Sequence, residues 1–199
     1  MSGAFSAPDY TALTLDRFLD LVASREPAPG GGASAAITVA LAAALCSMSA
    51  RFSADHLADA SELVDRCEHL RERAAQLAQA DAEAYGRVLA ALRLPRDGRV
   101  DRKQRISEAY TEATDVPLAM AEAGATVAEI AARLAREGNP NLRGDALSAA
   151  LLAEAGVRAA AELVKINAEA GNIPEDRPGQ AEELVRKVAA AARTAEDNG

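Results

Sequence analysis

Asp81 stands in a line of residues where a carboxylate is out of place. Leu63, Cys67, Leu70, Ala74, Leu77, Ala78, Ala84, Tyr85, Val88 and Leu92 recur at helical spacing, and Asp81 falls four residues after Leu77 and four before Tyr85. It therefore belongs to the face that the leucines share. A carboxylate there is costly unless it is paired, hydrogen-bonded or open to a cavity, and burial raises its pKa. Those conditions turn an aspartate into an acid or base that works near neutral pH. The same pattern also fits a stripe that drifts along a long helix and leaves Asp81 at its solvated edge, as it leaves Glu83.

Gly30, Gly31 and Gly32 form the second chemical feature, directly before a helix that starts near Ala33. Glycines adopt backbone angles closed to other residues and let a backbone or ligand come close, so the run reads as a hinge. The free N–H groups and positive dipole end of the following helix favour an anion at the same place. No lysine follows as in a phosphate-binding loop, and no strand precedes as a dinucleotide fingerprint requires. Asp145 ends the turn-rich run GNPNLRGD (138–145), where its first reading is a helix N-cap or first-turn residue. Asn167 continues the line of Ala146, Ala149, Ala153, Val157, Ala160, Leu163 and Val164, and a buried asparagine needs partners.

Other constellations carry less. His56 and His69, the two histidines, recur in no zinc pattern, and Cys67 with His69 would project from different helix faces. They read as solvated helix residues, and no metal site is expected. Cys46 and Cys67 read as buried free thiols, which fits a reducing compartment. Ser34 and Ser47 have no evident base partner, so serine nucleophile chemistry is unsupported.

The elements that must position these residues are helices. Thr14 reads as the N-cap of a first helix over 15–24, stopped by Pro27 and Pro29. From Ala33 to Ala50, 18 residues carry no charge, so this second helix has no face meant for water and belongs in a core. It reaches the lower end of the length needed to span a membrane. Its alanine, serine and threonine give little transfer energy, and the packed-core reading is preferred. A third helix is expected over 55–92, a loop over 93–100, and a fourth helical region over 101–136 with a kink or break near Asp115 to Val116, ahead of Pro117. A fifth helix should reach about Ala170, followed by a loop over 172–179 and a last helix over 181–195.

Hydrophobic residues make up 49% of the 199 and aromatic ones only 3%, with no tryptophan. The core must then be built from Ala, Leu and Val, which suits packed helices. We expect one domain over 1–199, an all-α multihelical bundle with long antiparallel helices. The net charge of -8 argues against a nucleic-acid or anionic-membrane surface, so an anionic ligand must meet a local cluster of positive groups. The N-terminal stretch lacks a basic region followed by an apolar run, and a cytoplasmic location is expected.

Three stretches together carry a resemblance. FLDLVASREPAPGGGASAA, the DAEAY segment at Asp81 to Tyr85 with Leu94 and Pro95, and GNPNLRGDALSAALLAEAGVRAAAELVKIN are similar, in order and spacing over residues 14–170, to the cyclodeaminase/cyclohydrolase family. That family comprises the cyclodeaminase half of formimidoyltransferase-cyclodeaminase and stand-alone bacterial methenyltetrahydrofolate cyclohydrolases. The resemblance implies an all-helical subunit that forms homodimers and a folate site near the PGGG turn and both aspartates. Asp81 falls on the family's motif aspartate, the proposed proton donor or acceptor, and Asp145 falls on the second motif aspartate. Implied substrate-binding residues are Pro29, Gly30, Gly31, Gly32, Ser34, Asn141, Arg143, Lys165 and Asn167, with Arg143 and Lys165 assigned to the anionic glutamate tail. The chain departs from the pattern twice: Ala33 precedes Ser34 where the family has serine directly after the glycines, and Gly144 stands where it has serine.

The implied reaction is hydrolysis of 5,10-methenyltetrahydrofolate to 10-formyltetrahydrofolate, with a tetrahydrofolate derivative as substrate and no prosthetic group. One alternative is formimidoyltetrahydrofolate cyclodeaminase, which releases ammonia. Another is a non-catalytic helical dimer that binds a folate or plays a structural part.

Overall fold

The computed structural model describes residues 8–96, 101–174 and 176–197 of the 199. It contains six α-helices: α1 (Leu15–Val22), α2 (Gly31–Arg51), α3 (Ala60–Leu92), α4 (Arg102–Glu137), α5 (Arg143–Gly171) and α6 (Asp176–Glu196). Short 3-10 turns precede α1 at Tyr10–Ala12 and α5 at Pro140–Leu142. Among the described residues there is no strand, as expected of an all-α chain. The connection between α3 and α4 spans about 30 Å at most, while each helix is about 50 Å long. Since the two pack on each other, they run antiparallel.

The charge-free α2 is the central rod. By length and composition it is long and apolar enough to cross a membrane, yet here it packs on α3, α4 and α5. Its buried residues are mostly alanines, with Gly32, Val39, Cys46, Ser47 and Ser49. Small side chains let the backbones close in, and two glycines take this furthest. A Cβ on Gly156 would lie 2.7 Å from Val39 Cγ2, and one on Gly124 would lie 2.5 Å from Val157 Cγ2. A methyl group at either place forces a shift in a close-packed interior. Cys46 and Cys67 are both buried and free, as expected.

The observed boundaries differ from expectation in three places. α3 starts at Ala60 rather than near Asp55, because residues 53–59 form turns that are held by Ser53 and by a two-fold ion pair of Asp59 with Arg133 at 2.6 and 2.9 Å. α4 runs unbroken through the buried Pro117. Proline at 117 leaves the carbonyl of Ala113 without its helical N–H, and the Asn167 side-chain amide donates to that oxygen at 2.5 Å. The lost bond is thus replaced from the neighbouring helix, and the break does not occur. α6 begins at Asp176 because Pro178 and Gly179 sit in its first turn, where proline's missing N–H has no helical partner to lose. Residues 97–100 of the expected loop lie outside the described residues.

The two ends of the bundle are built differently. At one end, Gly30 is the N-cap of α2. At the other, Asn139 donates its side-chain amide to Phe52 O and its backbone N–H to Ser53 Oγ, both at 2.9 Å. The GNPN turn is thereby fastened to the C-terminal end of α2, about 30 Å from the glycines along a 21-residue helix.

Candidate active site

Asp81 meets the N-terminus of α2. Its carboxylate accepts the Ala33 backbone N–H and rests directly on Gly32, where a Cβ would overlap all three carboxyl atoms. Any side chain at position 32 would have to displace the carboxyl from this seat, so the close approach depends on glycine. None of the three glycines has a left-handed φ, so the expected hinge is instead the first turn of a helix, and closeness is what this glycine supplies. The two open readings of the α3 stripe resolve in the same observation: Asp81 faces the bundle, and its carboxyl closes against α2.

A cleft of about 280 Å³ opens over this contact, lined by Pro27, Ala28, Gly30, Gly31, Gly32, Asp81, Tyr85, Ala113, Leu163, Ile166 and Asn167. Asp81 is the one charged residue in that lining. Burial pushes its carboxyl up from 3.8 to about 6, against the smaller opposing effect of the Ala33 N–H. At neutral pH the group is therefore mostly ionised with a protonated fraction in reserve, the poise that general acid–base chemistry needs. Tyr85 and Ile166 stand at the mouth, 44% and 58% exposed, so Tyr85 belongs to a cleft wall rather than to the core stripe. Asn167 is held there by the carbonyl that Pro117 freed.

The other sequence-selected residues are placed as follows. Pro29 is buried beside the cleft, after a cis peptide bond from Ala28. Ser34 lies one turn into α2 and spends its hydroxyl on Gly30 O at 2.9 Å. Lys165 is two residues from Asn167, with its ammonium 3.3 Å from Glu162 and 3.5 Å from Glu182. Asn141, Arg143 and Asp145 are at the opposite end. Asp145 occupies the first turn of α5, and the 22 residues from it to Asn167 span about 33 Å of helix. Within one chain, therefore, the PGGG turn and the two aspartates are not gathered as expected, because α2 and α5 hold them at opposite ends. Arg143 donates to Ala195 O and Glu196 O at 3.3 and 3.2 Å, which caps the last turn of α6.

Sequence reasoning missed Ala28, Ala113, Leu163 and Ile166, whose types carry no chemical signal and whose places depend on helix packing. A larger groove of about 540 Å³ between α3 and α4 holds Arg87, Arg105, Glu108 and Glu112. Its charges neutralise one another, with Arg87 bound two-fold to Glu112 at 2.6 and 2.7 Å and Arg105 beside Glu108 at 3.7 Å. Among the described residues no cluster of three or more His, Cys, Asp or Glu could hold a metal ion.

Comparison with known proteins agrees with the fold and the motifs. A methenyltetrahydrofolate cyclohydrolase of Methylorubrum extorquens is 38% identical over 165 residues, covering 78% of this chain and 79% of that protein. The formimidoyltransferase-cyclodeaminase of Sus scrofa is 36% identical over 162 residues, and there the match spans only 30% of the longer relative. The crystal structure of a formiminotetrahydrofolate cyclodeaminase from Thermotoga maritima superposes with a TM-score of 0.86 at 27% identity, over 94% of this chain and 96% of that one. The family described as formiminotransferase-cyclodeaminase matches residues 14–177, and the chain belongs to that family.

Proposed function

We propose that this chain is a methenyltetrahydrofolate cyclohydrolase in one-carbon metabolism, with Asp81 as its acid–base residue. The observation that carries the reading is a single carboxylate, raised to about 6 and seated on a helix N-terminus, at the floor of an otherwise uncharged cleft. The substrate is a cation whose charge is spread over N5, the methenyl carbon and N10, and the ionised carboxylate attracts it. Water adds to the methenyl carbon and gives one proton to Asp81. As the C–N5 bond breaks, the adduct's hydroxyl gives its proton to solvent to leave a formyl group on N10, and N5 takes up the proton that Asp81 held. The net change is cation plus water to 10-formyltetrahydrofolate plus one proton, so Asp81 only relays. The step needs no prosthetic group.

The Thermotoga relative supports a second reading on the same site, the cyclodeaminase reaction. There N10 attacks the formimidoyl carbon and protonated Asp81 supplies the proton with which ammonia leaves. Supplying the purified protein separately with methenyl- and formimidoyl-tetrahydrofolate decides between them. Loss of the near-ultraviolet methenyl band from the first supports the cyclohydrolase, and appearance of that band from the second supports the cyclodeaminase. Folate binding without turnover of either would leave a binding protein.

The reading includes a homodimer. The less buried side of α2, through Ser34, Thr38, Leu41, Leu45, Met48 and Phe52, carries no charge, and Leu41, its midpoint, is 56% exposed. Two copies packed antiparallel about Leu41 would bury this stripe and bring the glycine end of one chain to the GNPNLRGD end of its partner. Asp145 and Asn141 of the partner would then join Asp81. Mixing Asp81→Asn with Asp145→Asn chains tests this: recovered turnover is expected from a shared site, and none from sites confined to one chain. The two buried free thiols support a reducing, cytoplasmic location.

A further inference from the structure

Asn167 has one polar atom in use and one spare. Its side-chain nitrogen donates to Ala113 O at 2.5 Å, and its side-chain oxygen, Oδ1, accepts no hydrogen bond among the described residues. Both Asn167 and Ala113 line the cleft over Asp81, where Asn167 is half-buried. A primary amide can usually turn over and offer either end, since the two ends have nearly the same shape. This one cannot, because Ala113 O is a carbonyl and only accepts. The NH2 group must face it, and Oδ1 is left over as an acceptor.

Pro117 is the reason that this carbonyl is available. In a helix, Ala113 O would take the backbone N–H of residue 117, which proline lacks. Pro117 is fully buried inside α4 and is not part of the cleft lining. An interior proline is among the least favourable residues for a helix, and what it yields here is a bare carbonyl at the wall of the site. The other polar groups of the cleft do different work. First-turn N–H groups of α2 only donate, Asp81 gains and loses a proton, and the Tyr85 hydroxyl at the mouth rotates to give or to take. Asn167 Oδ1 is thus the one neutral side-chain oxygen in the lining whose sense is fixed.

We propose that Pro117 is a positioning residue for Asn167, and that Asn167 Oδ1, locked as an acceptor, selects ligands that present a ring N–H at this wall. A reduced pterin carries such N–H groups. A ring with an acceptor at that place would set two oxygen or nitrogen lone pairs against each other and leave both unpaired. The inference deepens the folate reading of the same cleft and rests on it.

The test uses the full chain, with NMR of the Asn167 side-chain amide and equilibrium binding of tetrahydrofolate. In the ligand-free wild type the Asn167 NH2 protons should exchange slowly. In Pro117→Ala, residue 117 regains an N–H that competes for Ala113 O, and exchange should quicken by at least about tenfold. The dissociation constant for tetrahydrofolate should rise by about three- to tenfold, the worth of one neutral hydrogen bond. KM for the methenyl substrate should follow it, while kcat stays within about two-fold. A purely structural proline predicts otherwise, since its removal would steady α4 and leave affinity alone. Asn167→Leu removes Oδ1 and should weaken binding at least as much, which keeps the test open should Pro117→Ala fail to fold. A wild type that binds no tetrahydrofolate, or a folded Pro117→Ala chain with wild-type affinity or equally slow amide protons, overturns the proposal. Its failure is distinct from that of the cyclohydrolase reading: binding that depends on Asn167 and Pro117 without hydrolysis removes the activity alone, and hydrolysis indifferent to both residues removes this inference alone.

Discussion

At the scale of residues, the site trades stability for function. Between about pH 4 and 6 the folded chain keeps a proton on Asp81 that the unfolded chain has lost, so stability falls as pH rises through that window. The rise from 3.8 to about 6 corresponds to about 3 kcal/mol, fully present above about pH 7. Asp81→Asn keeps the acceptor for the Ala33 N–H and removes the charge. We therefore expect it to be more stable than wild type at neutral pH by about 2–3 kcal/mol, with the difference fading toward pH 4, in urea melts across that range. Gly32→Ala should fold and lose at least about tenfold in kcat/KM, because its methyl displaces the carboxyl. An unimpaired Gly32→Ala enzyme would show that the carboxyl does not need this seat. The Asp81 anomaly was visible in the sequence because four-residue spacing is a local property. Its partner was not, because contact with Gly32 is made only when α2 and α3 pack.

At the scale of elements, the helices and the Thr14 cap followed from spacing and capping residues, with Thr14 Oγ1 accepting the Arg17 N–H at 3.3 Å. Of the expected kink or break at Pro117, the break does not occur, because the carbonyl that proline leaves bare, Ala113 O, meets a tertiary donor 54 residues further along, Asn167. That pairing predicts a coupled pair of mutations. Asn167→Leu should cost about 1–3 kcal/mol by leaving the Ala113 carbonyl unpaired. On a Pro117→Ala background, where residue 117 can donate to that carbonyl, the same change should cost clearly less. Equal costs in both backgrounds, read from urea melts, would show that the amide is not replacing the helix bond. The start of α6 was missed for a related reason: Pro178 and Gly179 were read as loop residues, whereas a first turn tolerates both.

At the scale of the whole molecule, a charge-free α2 dictated a buried rod, and the bundle of α3, α4 and α5 around it was legible from that. Within one chain α2 and α5 separate Asp81 from Asp145 by the length of the bundle, so the two motifs meet only in the proposed pairing of copies. If copies pair about Leu41, Leu41→Glu should convert the protein from twice its 20.6 kDa chain mass to the single mass in sedimentation, with helicity retained and turnover lost. A dimer that survives this change would place the contact elsewhere. The measurement that tests the account most directly is the pH profile of methenyltetrahydrofolate hydrolysis by wild type and Asp81→Asn, followed through loss of the methenyl band. We predict enzyme-dependent loss with kcat/KM falling below a limb near pH 6, and a folded Asp81→Asn chain slower by at least about a hundredfold. A folded Asp81→Asn enzyme with wild-type turnover and the same limb would contradict the role of Asp81.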